Sequence, residues 1–232
     1  MRISRDFTSK IHYMLDHWIP PFIRDSKWFM DIPFKLLYKD KADIFLTFKD
    51  KAQYMDAAAF SQVYKKVGSV LVERETDLNE KCLKAILRNI KGSTVLDAGC
   101  GNALLAKTMS KKYHVTAADI FIKQKLIERY PTIKFNTANI ENLPFKQQSF
   151  DTVVCAHTLE HVQHFSKALS ELRRVARKRL IIVVPKQRPY RYTFDLHLLF
   201  FPYKHSLLGS MGKQKSQKCT ELDGDWFYVE NK

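Results

Sequence analysis

The chain has 232 residues, 45% of them hydrophobic and 27% charged, which is enough apolar content for a packed core and excludes a disordered chain. Its 39 Lys and Arg against 24 Asp and Glu give a formal charge of +15, which favours anionic partners (nucleic acid, phospholipid head groups, phosphorylated substrates) without choosing among them. Cys82, Cys100, Cys155 and Cys219 form no C-x-x-C pair, which speaks against a zinc site or a disulfide framework and suits a reducing, cytoplasmic setting.

Residues 1 to 75 are rich in aromatics and lysines and have breakers but no strand pattern. They read as short helices and loops, a lid or appendage rather than a separate core. The start is basic (Arg2, Arg5, Lys10), but Asp16, His17 and the Pro20–Pro21 pair interrupt any apolar stretch, so no signal peptide is expected. The main domain is expected over 76 to 232. A helix over 77 to 91 follows from an apolar stripe of Cys82, Ile86, Leu87 and Ile90, with Asp77 as N-cap, Glu80 three residues on, and Gly92 as the stop. From Thr94 onward short apolar runs alternate with helical stretches. The runs are Thr94–Ala98, His114–Ala118, Ile133–Thr137, Phe150–Ala156 and Lys178–Val184; the helices fall near 103–112, 121–130 and 164–176. This alternation predicts βαβ units and a parallel sheet. The longest apolar run, Leu180–Val184, is too short to span a bilayer. After Pro185 an aromatic stretch runs to about 215. Within it Arg188–His197 could line an acceptor pocket, and Leu198–Lys204 could be buried or touch a membrane surface. Gln217–Leu222 and Asp225–Glu230, joined through Asp223-Gly224, read as a hairpin.

The most informative stretch is Asp97-Ala98-Gly99-Cys100-Gly101-Asn102-Ala103. A buried strand ends in an acid, two glycines alternate, and a helix begins. A dinucleotide fingerprint would need glycine at 104, where Leu104 stands, so a diphosphate ligand is disfavoured. A carboxylate beside exposed backbone suits a ligand that carries an ammonium group. Asp119 ends the next strand, placed to accept the two hydroxyls of a ribose.

This D-x-G-x-G stretch resembles motif I of the class I S-adenosylmethionine-dependent methyltransferases, of the type 11 kind, with Ala103 where members often have a third glycine. Asn139-Ile140-Glu141-Asn142-Leu143-Pro144-Phe145, followed by Ser149-Phe150-Asp151, resembles that family's D-x-x-x-L-P-F and F-D stretch, with Asn139 in place of Asp. Phe150–Ala156 running into His157-Thr158-Leu159-Glu160-His161 resembles its fourth-strand end. The resemblance implies an α/β fold: a Rossmann-like, seven-stranded, mostly parallel sheet with helices on both faces, a C-terminal antiparallel β-hairpin and an N-terminal helical appendage. It implies S-adenosylmethionine as methyl donor and S-adenosylhomocysteine as product. The expected cofactor contacts are Asp97, Gly99, Cys100, Gly101, Asn102, Asp119, Ile120, Asn139, Ile140, Ala156 and His157.

Methyl transfer from a sulfonium is an in-line displacement, and a base is needed only if the acceptor must lose a proton. His157 is the first candidate, followed by His161 and His197. His157-Thr158-Leu159-Glu160-His161 also fits an inverted zinc-peptidase motif, but a strand end at His157 does not give that motif its helical face. Some methyltransferases that act on quinone precursors or RNA 3′ ends carry E-x-x-E-H here and bind a divalent ion. With His157 in the first place and His164 nearby, a metal is a disfavoured alternative and none is assigned. The expected function is methyl transfer to a small, apolar or anionic acceptor. Nucleic acid is not favoured, since no RNA-binding module or N-P-P-Y motif is found. An RNA methyltransferase and a non-catalytic methyltransferase-like binding protein are the alternatives, and peripheral membrane contact is a further option.

Overall fold

The computed structural model describes residues 14–15, 18–67 and 76–232. Arg2, Arg5, Lys10, Asp16 and His17 lie outside the described residues. The chain divides into two compact units, one running to Asp77 and joined by Pro189–Leu198, the other comprising Leu78–Arg188 and Leu199–Lys232.

The first unit is helical. Its elements are α1 (Pro21–Arg24), α2 (Lys27–Tyr38), a 3-10 turn (Lys39–Lys41), α3 (Ala42–Ala52) and α4 (Ala57–Val67). Pro21 sits at the first helical position, where its missing N–H is not needed. Pro33 lies inside α2, which removes a backbone hydrogen bond and typically costs about 3 kcal/mol. The helix continues because Met30, Phe34 and Tyr38, four residues apart, bury one face. Phe45 of α3 stacks on Tyr38 with ring centroids 3.9 Å apart. The helices are short, as the breakers imply, and only α2 continues past an internal proline. The returning segment 189–198 is tied to them. The Tyr38 hydroxyl donates to the Phe194 carbonyl at 2.8 Å, the Phe34 and Phe194 rings lie 5.0 Å apart, and the Arg24 guanidinium lies 4.5 Å above the Tyr190 ring. Lys49 donates to the Tyr190 carbonyl. Burial pulls the Lys49 ammonium down to about 8, partly opposed by Asp25.

The second unit is the α/β body. In chain order it has α5 (Glu80–Asn89), β1 (Thr94–Ala98), α6 (Leu104–Ser110), β2 (His114–Asp119), α7 (Gln124–Arg129), β3 (Lys134–Thr137), β4 (Phe150–Ala156), a 3-10 turn (Leu159–His161), α8 (Phe165–Val175), β5 (Ala176–Pro185), α9 (Lys204–Met211), β6 (Gln217–Leu222) and β7 (Asp225–Asn231). The sheet order is β3-β2-β1-β4-β5-β7-β6. The first five strands are parallel, and β7 runs antiparallel to both β5 and β6. Asp223 and Gly224 both have positive φ, 56° and 85°, the conformation that an Asp-Gly hairpin turn takes.

Side chains alternate across the sheet with period two. Leu96, Leu180, Ile182 and Val184 join a core with Leu169 and Leu172 of α8 and Leu207 and Met211 of α9. Val95, Ile181 and Val183 join another with Cys82 and Ile86 of α5 and Met109 of α6. Helix α9 was not predicted, because its apolar residues show little one-sided periodicity; it forms by burying Leu207 and Met211. Leu199 packs against the first core and Phe201 is part of it, so this apolar stretch is anchored at its middle while Tyr203 stays 55% exposed. Two predicted helix limits are corrected. The N-cap of α5 is Asn79, whose Oδ1 accepts from the Cys82 amide at 2.8 Å, not Asp77. The helix ends at Asn89, before Gly92.

Asp151 closes the bottom of the sheet. Its Oδ2 accepts from the Ser93 and Thr94 amides at 2.9 and 3.3 Å. Its Oδ1 meets Arg177 at 2.7 Å and Lys178 at 2.8 Å. Burial pushes this carboxyl up, but hydrogen bonds from Lys178, the Ser93 amide, Arg177 and the Thr94 amide outweigh it and hold it far below the usual carboxylate range. Asp151→Ala removes the buried acceptor that these half-exposed and exposed donors share, and is expected to destabilise the fold by about 1–2 kcal/mol in urea unfolding. The lost stability is present above about pH 4 and fades as pH falls and the wild-type carboxylate is protonated.

Candidate functional site

The order β3-β2-β1-β4-β5 reverses direction between β1 and β4, and such a switch point, at the carboxyl ends of the strands, is where open α/β sheets place their ligands. Asp97 pairs in register with Ala117 and with Val154, Ala98 with Ala118, Asp119 with Thr137, and Ala156 with Val183. One sheet edge therefore gathers Asp97, Asp119 and Ala156.

The loop after β1 turns tightly. Gly99 and Gly101 have φ of 83° and 50°. The amides of Gly99 and Cys100 donate to the Ala118 carbonyl at 2.7 and 3.0 Å, and the Gly101 amide donates to Asp119 Oδ2 at 2.8 Å. These amides are thus spent within the protein. A Cβ on Gly99 would lie 2.1 Å from Thr158 Oγ1, whereas a Cβ on Gly101 would meet nothing within 4 Å. Gly99 is demanded by packing, and Gly101 faces open space. Ala103, at the family's third glycine position, is held left-handed at φ 60°. The Cys100 thiol is buried and pushed well above its usual range, by burial first and then by Asp97 and Asp119. Asn102 is exposed, and its Oδ1 accepts from Lys123 at 3.1 Å.

Asp97 is 2% exposed. Its Oδ2 accepts no hydrogen bond among the described residues. Burial, with the Asp119 charge second, pushes its carboxyl up to about 7 against a backbone hydrogen bond from Ala106 at the start of α6. Asp119 is half-buried. Burial raises its carboxyl too, opposed by amides of Gly101, Phe121 and Ile120 and by nearby His161. Two acids with so little cationic compensation form a site for a cation or for hydroxyl donors.

Asn139 and Ile140 follow β3. Asn139 Oδ1 accepts from the Glu141 amide at 2.9 Å, a local turn that leaves its amide nitrogen available for other contacts. The Leu143-Pro144-Phe145 stretch is clamped from α8. The Leu143 amide donates to Glu171 at 2.7 Å, and Arg174 donates to the carbonyls of Phe145 and Leu143 at 2.6 and 3.0 Å. Phe145 meets Phe150 edge to face at 5.0 Å. This part of the motif holds the loop that presents Asn139 and Ile140.

His157 also has positive φ, 50°, and its side chain is 15% exposed. Its Nδ1 lies 3.5 Å from Glu160 and its Nε2 lies 3.3 Å from Asp225. These are ion-pair distances without good hydrogen-bond angles, since both Glu160 oxygens and His157 Nε2 lack an aligned partner. Burial pulls the imidazole down, but Asp225 and then Glu160 outweigh it and raise it to about 10. Asp225 also accepts from Asn79 at 2.7 Å, which links the edge to the start of α5. His161 lies half-buried in the 3-10 turn after β4. His164 is exposed and pairs with Glu141 at 3.3 Å. Within this unit the ligand atoms of Glu160 and His161 lie within 4.8 Å of one another, and neither His157 nor His164 joins that group among the described residues. His197 is buried and belongs to the helical unit. Thr158 and Asp225 were missed by sequence reasoning. Thr158 carries no motif signal, and Asp225 read only as a hairpin residue.

Residues 96–184 match the family model of the methyltransferase domain. A relative of unassigned function from Methanocaldococcus jannaschii is 33% identical over 140 residues, and the match covers 59% of this chain and 59% of that protein. A demethylmenaquinone methyltransferase from Staphylococcus epidermidis is 24% identical over 188 residues, covering 74% and 76%. Among solved structures, 1,6-didemethyltoxoflavin-N1-methyltransferase from Burkholderia thailandensis, with bound 1,6-didemethyltoxoflavin and S-adenosylhomocysteine, superposes with a TM-score of 0.54 at 19% identity, covering 76% and 86%. An S-adenosylmethionine-dependent methyltransferase from Aquifex aeolicus gives 0.51 at 18%, covering 76% and 98%. The segment from 96 to 184 belongs to the class I S-adenosylmethionine-dependent methyltransferases. The unpaired buried Asp97 oxygen, the open face of Gly101 and the acid on β2 fit the ammonium, close approach and ribose hydroxyls of that cofactor.

Gly99→Ala forces both a clash and a left-handed alanine. It is expected to lower stability by about 2–4 kcal/mol, whereas Gly101→Ala carries backbone strain alone, about 1 kcal/mol, in chemical denaturation. For His157, a raised folded value means that stabilisation is full below its ordinary 6.5 and lost as pH rises through about 10. The stability advantage of wild type over His157→Asn should shrink across that window; an advantage that grows with pH would contradict the assignment.

Proposed function

We propose that the chain transfers a methyl group from S-adenosylmethionine to a small, apolar acceptor of the quinone-precursor kind. The observation that carries the donor half is the pair of acids, with Asp97 buried and one of its oxygens unpaired. The sulfonium supplies an already activated methyl group, so the protein's task is alignment and exclusion of water. Asp97 takes the amino-acid ammonium and Asp119 the ribose hydroxyls. The backbone of Gly99, Cys100, Gly101 and Asn102 forms the floor. Ile120, Asn139 and Ile140 flank the adenine, with the Asn139 amide nitrogen as donor. Ala156 and the backbone of His157 border the methionine portion.

His157 is assigned here as a positioning cation and not as the base. An imidazole held protonated up to about pH 10 by two carboxylates does not accept a proton near neutrality. If the acceptor is a hydroxyl or a carbon acid, His161 on the same edge is the better candidate. The acceptor half rests on relatives. Besides the demethylmenaquinone enzyme, a ubiquinone biosynthesis O-methyltransferase from Paracidovorax citrulli is 35% identical over 85 residues.

Asp97→Ala and Asp119→Ala are each expected to weaken S-adenosylhomocysteine binding by about ten-fold or more. Because free Asp97 ionises near 7, wild-type affinity should tighten as pH rises through that value and then level off; affinity that falls over this range would contradict the ammonium assignment. Labelled methyl transfer into fractionated cell extract tests the acceptor. Label is expected in the lipid and small-molecule fractions, and label confined to RNA or protein would overturn that half.

A further inference from the structure

Helix α2 of the N-terminal unit is apolar on two opposite faces. Met30, Phe34 and Tyr38 supply the buried face. Trp28, Ile32 and Leu36, also four residues apart, supply the other, and they are 70%, 61% and 77% exposed. Three large apolar side chains in one exposed row are unusual for a helix that faces only water. Phe22 in α1 and Trp18 just before it are 78% and 75% exposed.

We propose that this face seats on an anionic phospholipid bilayer. Three observations favour lipid as the occupant. At about 100° per residue, Lys35 falls about 20° beyond Trp28, at the margin of the arc that Trp28, Ile32 and Leu36 span. Lys27, Lys35 and Lys39 are all exposed around the row, with Lys35 in an i,i+4 pair with Asp31 at 2.5 Å for which a head-group phosphate would compete. Indole rings with lysines at their margin are the composition of the membrane–water boundary, where the ring enters the head-group region and the ammonium reaches the phosphates. The chain's +15 charge complements an anionic surface and opposes a symmetric contact that would bring this lysine-rimmed face against itself. Shallow seating of this kind needs no spanning segment, and no helix among the described residues is long and apolar enough to cross a membrane. The proposal stands independently of the methyl-transfer reading and adds a lipid surface as partner.

The test is co-sedimentation of the full chain with vesicles of phosphatidylcholine containing about one third phosphatidylglycerol. Wild type should pellet with these vesicles, less with pure phosphatidylcholine, and less as salt is added. The variant Trp28→Ser/Ile32→Ser/Leu36→Ser should bind them more than about ten-fold more weakly, with unchanged melting and unchanged S-adenosylhomocysteine binding. Since a basic protein adheres to anionic vesicles through charge alone, equal pelleting of wild type and the triple variant overturns the proposal. So does failure of wild type to pellet at low salt. If sedimentation velocity shows a dimer that the triple variant dissociates, the face is a contact between copies and the proposal is equally overturned.

Discussion

The second unit depends on a constraint at the ends of β1 and β2, where two carboxylates are placed near one another with few cations to offset them. A buried carboxylate without partners is destabilising. Asp97 ionises near 7 instead of near 3.8, so the folded state is progressively disfavoured as pH rises between those values. The surrounding structure tolerates this because the rest of the edge is over-determined. Gly99 is fixed against Thr158, and the loop's amides are consumed by the Ala118 carbonyl and by Asp119. The loop therefore does not work as a phosphate cradle of free amides. It works as a rigid turn that presents an acid, which is the chemistry that an ammonium-bearing nucleoside requires.

The opposite end of the sheet shows the contrasting use of an acid. Asp151 has a full set of donors and is held far into its charged form. Asp97 and Asp151 lie on neighbouring strands of one sheet, yet one fastens the fold and the other is left to meet a ligand. His157 belongs with the fastening group. Between Glu160 and Asp225 it acts as a buried cation that ties the end of β4 to the start of β7. Its sequence position at the end of β4 gives no hint of this, because the partner Asp225 is 68 residues downstream, brought near by the pairing of β7 with β5, the neighbour of β4.

The α/β body was legible because its signals are local. Runs of buried apolar residues, the Asp223-Gly224 turn and the D-x-G-x-G loop each fix their own backbone, so Thr94–Ala98, Phe150–Ala156 and Gln217–Leu222 match their predicted limits. What escaped prediction depends on distant contacts. Asn79 caps α5 while also binding Asp225. Helix α9 forms by burying Leu207 and Met211 rather than by any clear stripe. Helix α2 extends through Pro33 because Phe34, Tyr38 and Phe45 pack together, and residues 189–198 belong with the N-terminal helices through Tyr38–Phe194 and Arg24–Tyr190. The positions of Asp97 and Asp119 at the ends of β1 and β2 could be named from motif spacing alone. Their protonation behaviour, and the diversion of His157 into an ion pair, required the burial and the neighbours that only the folded chain supplies.

The central claim is that Asp97 recognises an ammonium group. Calorimetric titration with S-adenosylhomocysteine and with 5′-methylthioadenosine, which lacks the amino-acid portion, isolates that contact when done on wild type and on Asp97→Asn. The account predicts that wild type binds S-adenosylhomocysteine much more tightly than methylthioadenosine, and that Asp97→Asn closes most of the gap while leaving methylthioadenosine affinity nearly unchanged. Wild type that binds neither ligand, or a gap that survives the substitution intact, would contradict it.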